Sequence, residues 1–413
     1  MKGILTSSLM FLLAVSLGVV IYPAHQAEAG GDWYVNTGES IQAAIDAAAA
    51  AGSGTVYVAP GEYKENITLK SGIAVRGTAP DTIINGSGNG AVVTAINVDD
   101  TAMLSDFIIY NGGPDSRDEL PGGGIYLWHS SLIISNCTFL ANSGELGGGM
   151  SNHESSPMIT NSTFYGNSTN SIGGGMYNDE SSPKVADCTF YGNSANNSGG
   201  GMYNYKSSPV VTGSTFYGNS AMGGGGMKNE HNSSPTVSNC TFNDNLAYYA
   251  GGGMNNQVSS PTVENCTFSN NSAVYGGGIW NYDSLSPVAD STFSGNSADY
   301  GGGIYNGVSS PEVINCLFYG NVAEYDGGGM YNNNSSPVIE NCTFQGNVAD
   351  YGDGIYNDDP IPTITNCTFR GNSVYDGGGI HKIVEILRSI DDGEGIFQEI
   401  VKLFQLLKAR FRQ

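Results

Sequence analysis

The sequence predicts an all-β chain: a single-stranded parallel β-helix solenoid with a short N-terminal cap helix and a C-terminal amphipathic helix. Three observations carry this. A Gly-Gly-Gly triplet, once Gly-Asp-Gly, followed by Met or Ile recurs eleven times between Gly122 and Ile380. The Met or Ile falls at 125, 150, 176, 202, 227, 254, 279, 304, 330, 355 and 380, with gaps of 25 to 27 residues. A second marker, Cys/Ser-Thr-Phe-x-x-Asn, runs in the same phase, from Phe139 to Phe369. So regular a period means stacked units that share one elongated core. A unit of about 25 residues is too short for two helices and their loops, and its β-friendly runs are punctuated by Gly, Pro and Asn.

The elements follow in chain order. Residues 1–29 read as an export signal: Lys2, an apolar run from Leu9 to Val15, then Ala27-Glu28-Ala29 as a cleavage site. No membrane-spanning segment is then expected in the mature chain. Residues 30–118 hold a helix beginning at Ser40-Ile41-Gln42 and ending at Gly52. Strands follow at Thr55–Val58, Ile73–Val75 and Thr82–Ile84. This helix is the expected cover for the open end of the solenoid. Residues 119–380 are the repeats, with three strands per turn. In Met-Tyr-Asn and Cys-Thr-Phe, alternation puts Met, Asn, Cys and Phe inward. The Val-to-Cys spacing of three breaks strict alternation, so a corner is expected between them. Two in-phase asparagine rows, Asn142 to Asn372 and Asn152 to Asn357, predict stacked amide ladders. Residues 381–413 form an amphipathic helical tail with Ile396, Ile400, Phe404, Leu407 and Phe411 at helical spacing. Capping the last coil and lying on a membrane surface are its two readings.

Composition narrows the function. Gly is 60 of 413 residues, charged residues are 13%, and the net charge is −23. Between Asp118 and Phe369 the only cations are Lys184, Lys206 and Lys228, which excludes a nucleic-acid groove. All seven Cys (137, 188, 240, 266, 316, 342 and 367) share one phase of the repeat, where other coils carry Ser162, Ser214 and Ser291. That interchange reads as buried thiols in a ladder.

The paired markers, such as Gly-Gly-Gly-Met and Phe164-Tyr165-Gly166-Asn167, resemble the polymorphic outer membrane protein repeat. The stretch from Gln42 to Gly86 resembles the opening coils of pectin-lyase-like right-handed β-helices. The resemblance implies a right-handed coil and a surface or secreted protein, some relatives being adhesins. The pectin-lyase-like scaffold also hosts polysaccharide lyases, hydrolases and esterases, so an enzyme is the second reading. Gly61-x-Tyr63-x-Glu65 matches a short pectin-methylesterase motif, but the other motifs of that family are missing from the sequence.

No catalytic residue is assigned. Two sets of site residues stand out. If Met faces inward, the next residue faces out, giving an aromatic stripe of Tyr126, Tyr177, Tyr203, Trp280, Tyr305, Tyr331 and Tyr356. Such a stripe suits sugar rings or a partner surface, and cross-strand stacking that only stabilises the sheet explains it equally well. Asp299, Glu324 and Asp350 occupy matching positions in consecutive coils, with Asp326, Asp353 and Asp376 nearby. Hard oxygen ligands of this kind suit Ca²⁺; the other reading is a solvated acidic corner, with no cofactor. His129, His153 and His231 read as exposed loop residues. The expectation is therefore a secreted or cell-surface protein, outer-membrane-associated in some relatives. It would bind a polysaccharide or a cell-surface or matrix partner without catalysis.

Overall fold

The computed structural model describes residues 25–26, 31–114 and 123–372. Apart from residues 25–26, the expected export signal lies outside the described residues, as do the tail at 381–413 and Asp376. The repeats coil as expected. One turn runs through Lys184–Ala186, Thr189–Tyr191, Ser194–Ala195 and Met202–Tyr205 before Val210–Thr212 resumes the first position one turn on. Each strand pairs in parallel with its copy in the next coil, for example Phe164↔Phe190↔Phe216. Three long sheets result, named here by their buried residue: a Val sheet of 15 strands, a Phe sheet of 13 and a Met sheet of 12. A fourth strand per turn, not expected from the sequence, forms short outer sheets of five and two strands. The variable stretch makes it, because Ala195, Ala221, Ala247, Ala298 and Ala323 recur in phase and are buried against the coil.

The chain turns where left-handed backbone is tolerated. Asp187 (φ 53°) between Val185 and Cys188 is the corner expected from the broken alternation, and Asn161, Asn239 and Asn265 repeat it. Asn and Asp accept this conformation because their short polar side chains bond locally. The glycine triplet has a different cause. A Cβ on Gly201 would stand 2.5 Å from the Gly226 carbonyl oxygen and 2.8 Å from Phe216 Cδ1. Backbones of successive coils touch there, and only hydrogen fits. Gly201→Ala is expected to cost about 1–3 kcal/mol through overpacking. Gly346→Ala, with no atom within 4 Å but φ 63°, should cost about 1 kcal/mol from backbone strain alone. Urea midpoints at constant m check the ranking.

Inside the coil, Phe139 to Phe369 form one stack, with successive ring centroids 4.3–5.0 Å apart and planes within 7°. Both asparagine ladders are present. Asn219 Nδ2 donates to Asn245 Oδ1 (3.0 Å) and to the Phe190 carbonyl (2.9 Å), and its Oδ1 accepts from the Asn193 N–H (3.0 Å). Asn178 Nδ2 donates to Asn204 Oδ1 at 2.7 Å in the second row. A third ladder was not anticipated: Ser181 N–H donates to Ser207 Oγ and Ser207 N–H to Ser233 Oγ, at 2.8 and 2.9 Å. The seven thiols are buried and free. Cys188 Sγ lies 3.2 Å from the Ala186 carbonyl, as Ser214 Oγ lies 2.9 Å from that of Thr212. One geometry takes either residue, which is why they interchange.

The cap helix spans Ile41–Ala50 and buries Ile41, Ala44, Ile45 and Ala48. Ser40 Oγ accepts from the Ala43 N–H (3.1 Å), and Glu65 Oε1 accepts from the Ile41 N–H (2.7 Å). Carboxylate and hydroxyl together satisfy the orphan donors at this terminus. Tyr63 Oη donates to the Ala59 carbonyl at 2.8 Å. The Gly61-x-Tyr63-x-Glu65 motif is therefore structural here, and it ties the cap to the first coils.

Candidate functional site

The outer face of the Met sheet carries two columns of side chains. The first reads Tyr126, Ser151, Tyr177, Tyr203, Lys228, Asn255, Trp280, Tyr305, Tyr331 and Tyr356, each paired to the next in register. The second reads Trp128, His153, Asp179, Tyr205, Glu230, Gln257, Tyr282, Gly307, Asn333 and Asp358. The predicted aromatic stripe is thus assembled, but it does not stand in solvent. Tyr126, Tyr177, Tyr203 and Tyr331 are only 4–8% exposed, while Trp280, Tyr305 and Tyr356 are half-buried. Alternation sets which side of the sheet a residue takes; the chain folding back over that side then covers it. A Cβ on Gly199 would sit 2.6 Å from Tyr203 Cβ. Burial pushes the phenol pKa of Tyr177, Tyr203 and Tyr331 up, and that of Tyr305 to about 12.

The outer sheet raises a wall beside this floor. Tyr249, Tyr275, Tyr300 and Tyr325 follow one another with centroids 5.3–5.5 Å apart, and in the next coil the Tyr351 N–H donates to the Tyr325 carbonyl at 2.9 Å. Tyr275 meets Tyr305 at 5.4 Å and Tyr300 meets Tyr331 at 5.7 Å, so wall and floor are one aromatic surface. Tyr249, Tyr325 and Tyr351 are 55%, 43% and 47% exposed. The sequence reading missed this row. Its signal was a Tyr one or two residues before the glycines in six consecutive coils of the sequence, from Tyr249 to Tyr375.

The acidic set divides, with Asp299 and Glu324 brought together and Asp353 turned away. Asp299 and Glu324 follow the paired Ala298 and Ala323. Burial, then the neighbouring Glu324, raises the pKa of Asp299. Asp353 turns inward instead: it is 1% exposed, and its Oδ1 accepts from the Ala349 N–H at 2.8 Å. Among the described residues no three His, Cys, Asp or Glu side chains gather as a metal would require. The carboxylates of Asp299 and Glu324 edge the tyrosine wall, Glu324 bonding to the Tyr325 phenol and Asp299 lying near Tyr275.

His153 corrects the loop reading given to it. It is a strand residue, with Nδ1 3.2 Å from Asp179 Oδ2, and its ring packs between Tyr126 (5.8 Å) and Tyr177 (5.5 Å). The small Ser151 leaves the gap that the ring fills. Burial holds the imidazole pKa below its ordinary value, against the pull of Asp179. His129 and His231 do sit in turns, with φ of 48° and 56°.

Midway along the floor, polar residues interrupt the aromatics. Lys228 is 5% exposed, and its Nζ donates to Asn255 Oδ1 (2.9 Å) and Gln257 Oε1 (2.7 Å). Its Nζ also lies 5.9 Å from the Trp280 ring centroid. Burial lowers the ammonium pKa to about 8. One coil away, Tyr203 Oη donates to Glu230 Oε2.

Comparison with known proteins fits this geometry. The family described as "right handed beta helix region" matches residues 123–298 and 288–385, more than half of the chain. The chain belongs to the right-handed β-helix family. No curated protein matches the sequence. Among solved structures, this right-handed β-helix is similar to tailspike protein 3 of bacteriophage CBA120. Identity is 13%, the match covers 81% of this chain and 61% of that one, and the TM-score is 0.50. An α-1,3-glucanase catalytic domain in complex with nigerose matches at 12% identity, over 88% of this chain and 70% of that one, with TM-score 0.50. A mannuronan C-5 epimerase A-module of Azotobacter vinelandii matches at 17% identity, over 79% and 93%, with TM-score 0.43. At these identities the likeness is one of fold. Among the described residues, no helix is long and apolar enough to cross a membrane.

Proposed function

We propose that this right-handed β-helix is an exported surface protein of adhesin type that binds a glycan along its aromatic floor and wall, without catalysis. One observation carries the reading. Wall and floor form a single tyrosine surface from Tyr249 to Tyr356, edged by Asp299 and Glu324. Rings supply apolar contact and phenols hydrogen bonds, while carboxylates accept from sugar hydroxyls. The in-phase Gly-Gly-Gly-[Met/Ile] and Phe-x-x-Asn markers support the finer assignment to polymorphic outer membrane protein repeats. The apolar run from Leu9 to Val15 supports export.

A glycan and polysaccharide array tests the reading, and the wall gives its cleanest variant. Because Tyr325 and Tyr351 project into solvent, Tyr300→Ser/Tyr325→Ser/Tyr351→Ser should weaken binding tenfold or more and shift the urea midpoint little. Tyr331→Ser would confuse loss of contact with loss of packing. Unchanged affinity in the triple variant would refute the wall as the contact surface. The second reading, a polysaccharide lyase, hydrolase or esterase, is favoured by Lys228 beside the Tyr203–Glu230 pair. A degradation assay run with and without calcium separates the two.

A further inference from the structure

We infer that Lys228, Asn255 and Gln257 form a subsite for an acidic sugar, one carboxylate of the glycan seating on the Lys228 ammonium. This rests on the glycan-binding reading above and names the chemistry of its centre.

The column itself makes the case. Coils on either side carry aromatics at this position, Tyr177 and Tyr203 before, Trp280 and Tyr305 after. Lys228 and Asn255 stand between them and place a polar pair midway along an apolar floor. An ammonium has three donors. Two go to the neutral amide oxygens of Asn255 and Gln257, and no described carboxylate takes the third. The other described lysines on hydrogen-bonded pairs differ: Lys70 meets Asp46 at 2.5 Å and Lys206 meets Glu180 at 2.9 Å. Glu230, two residues on, pulls on the ammonium, but its Oε2 accepts from Tyr203 Oη, so the desolvated cation bonds only to neutral oxygens and its charge is only partly compensated; buried charges are stable when paired. An anion arriving with the ligand completes it, and a sugar hydroxyl does so far less well. The amides of Asn255 and Gln257 are spent on fixing the ammonium, so they orient the site. Trp280, half-buried in the coil after Asn255, flanks it as a contact for a neighbouring sugar.

The acidic surroundings set the ligand's limits. A chain of net charge −23 repels densely charged polyanions. The fitting ligand is a glycan with carboxylates on isolated sugars and neutral units between them, which match the aromatic stretches above and below Lys228.

Protonation is linked to this binding. The empty subsite holds its proton with a pKa of about 8, and a bound carboxylate raises that value, so binding near pH 8.5 takes up part of a proton. The test uses a uronate-bearing oligosaccharide and its carboxyl-reduced neutral counterpart, titrated calorimetrically against the full chain at pH 7 and pH 10. In the wild type the acidic sugar should bind at least tenfold more tightly than the neutral one at pH 7, and lose that preference by pH 10. Lys228→Met should bind both equally at either pH, with no proton uptake. Lys228→Arg should keep the preference at pH 10. Equal affinities in the wild type, or a preference that survives in Lys228→Met, would overturn the subsite while glycan binding stands. Binding of neither sugar, together with an empty array, would overturn the glycan reading and the subsite with it.

Discussion

Asn219→Ala in the middle of the longer amide ladder is expected to destabilise the protein by about 3–5 kcal/mol, the largest single loss from any polar side chain in the coil. Its amide serves both neighbouring turns. Removing it strips the acceptor from the Asn193 N–H and Nδ2, and the donor from the Phe190 carbonyl and Asn245 Oδ1. These groups are buried, Asn193, Asn219 and Asn245 being at most 1% exposed. An unmet buried polar group costs about 1–3 kcal/mol, whereas a made hydrogen bond is worth about 1 kcal/mol net. The cost therefore comes mainly from the partners left behind, and it exceeds that of deleting an exposed amide. Asn372→Ala is the internal control. Asn372 lies at the last described rung, is 7% exposed, and should lose clearly less. Urea unfolding followed by far-UV circular dichroism measures both. Equal losses at the two positions would mean that the ladder acts as independent bonds.

Lys228→Met acts in the opposite direction and is expected to stabilise the fold at pH 7 by about 2 kcal/mol. Burial lowers the ammonium pKa from 10.5 to about 8. At about 1.4 kcal/mol per unit, the charged form is disfavoured by roughly 3 kcal/mol, and the amide oxygens released by the substitution return about 1 kcal/mol of that. The sign follows from proton counting. Between pH 8 and pH 10.5 the unfolded chain holds more protons than the folded one at this site, so wild-type stability rises with pH there. Below pH 8 both states hold the proton and the penalty is constant. The variant should lack the rise, and the two profiles should meet at about pH 9.5, with the wild type the more stable above it. A wild-type profile flat across this window would remove the buried charge from the account.

Much of this was legible from the chain, for reasons that can be named. Phe139 to Phe369 and the asparagine rows declare themselves because each coil must place the same shape at the same corner. Asp187 and its counterparts were readable as a corner because Val185 and Cys188 could not both point inward along a straight strand. The outer strand was not legible. Its segment varies in length from coil to coil, and its register slips between Ala221 and Gly223 and between Ala298 and Tyr300. Periodicity cannot follow such slips. Nor did alternation reveal that Tyr177 and Tyr203 are covered, because it assigns a side of the sheet and says nothing of what packs upon it. Lys228 was visible as one of three cations between Asp118 and Phe369. Its meaning lay in reading down the column, where it replaces a tyrosine, rather than along the strand.

The glycine triplets have one consequence beyond packing. Coil meets coil there through backbone and the repeated Phe and Asn of the ladder, so the junction is the same whatever the variable part of the turn contains. A duplicated segment of about 25 residues can enter the array and lengthen it by one strand spacing, about 4.8 Å, with no other joint rebuilt. The protein is in that sense a ruler with interchangeable divisions: the number of units sets its length, and substitution within one unit sets the surface presented at that mark.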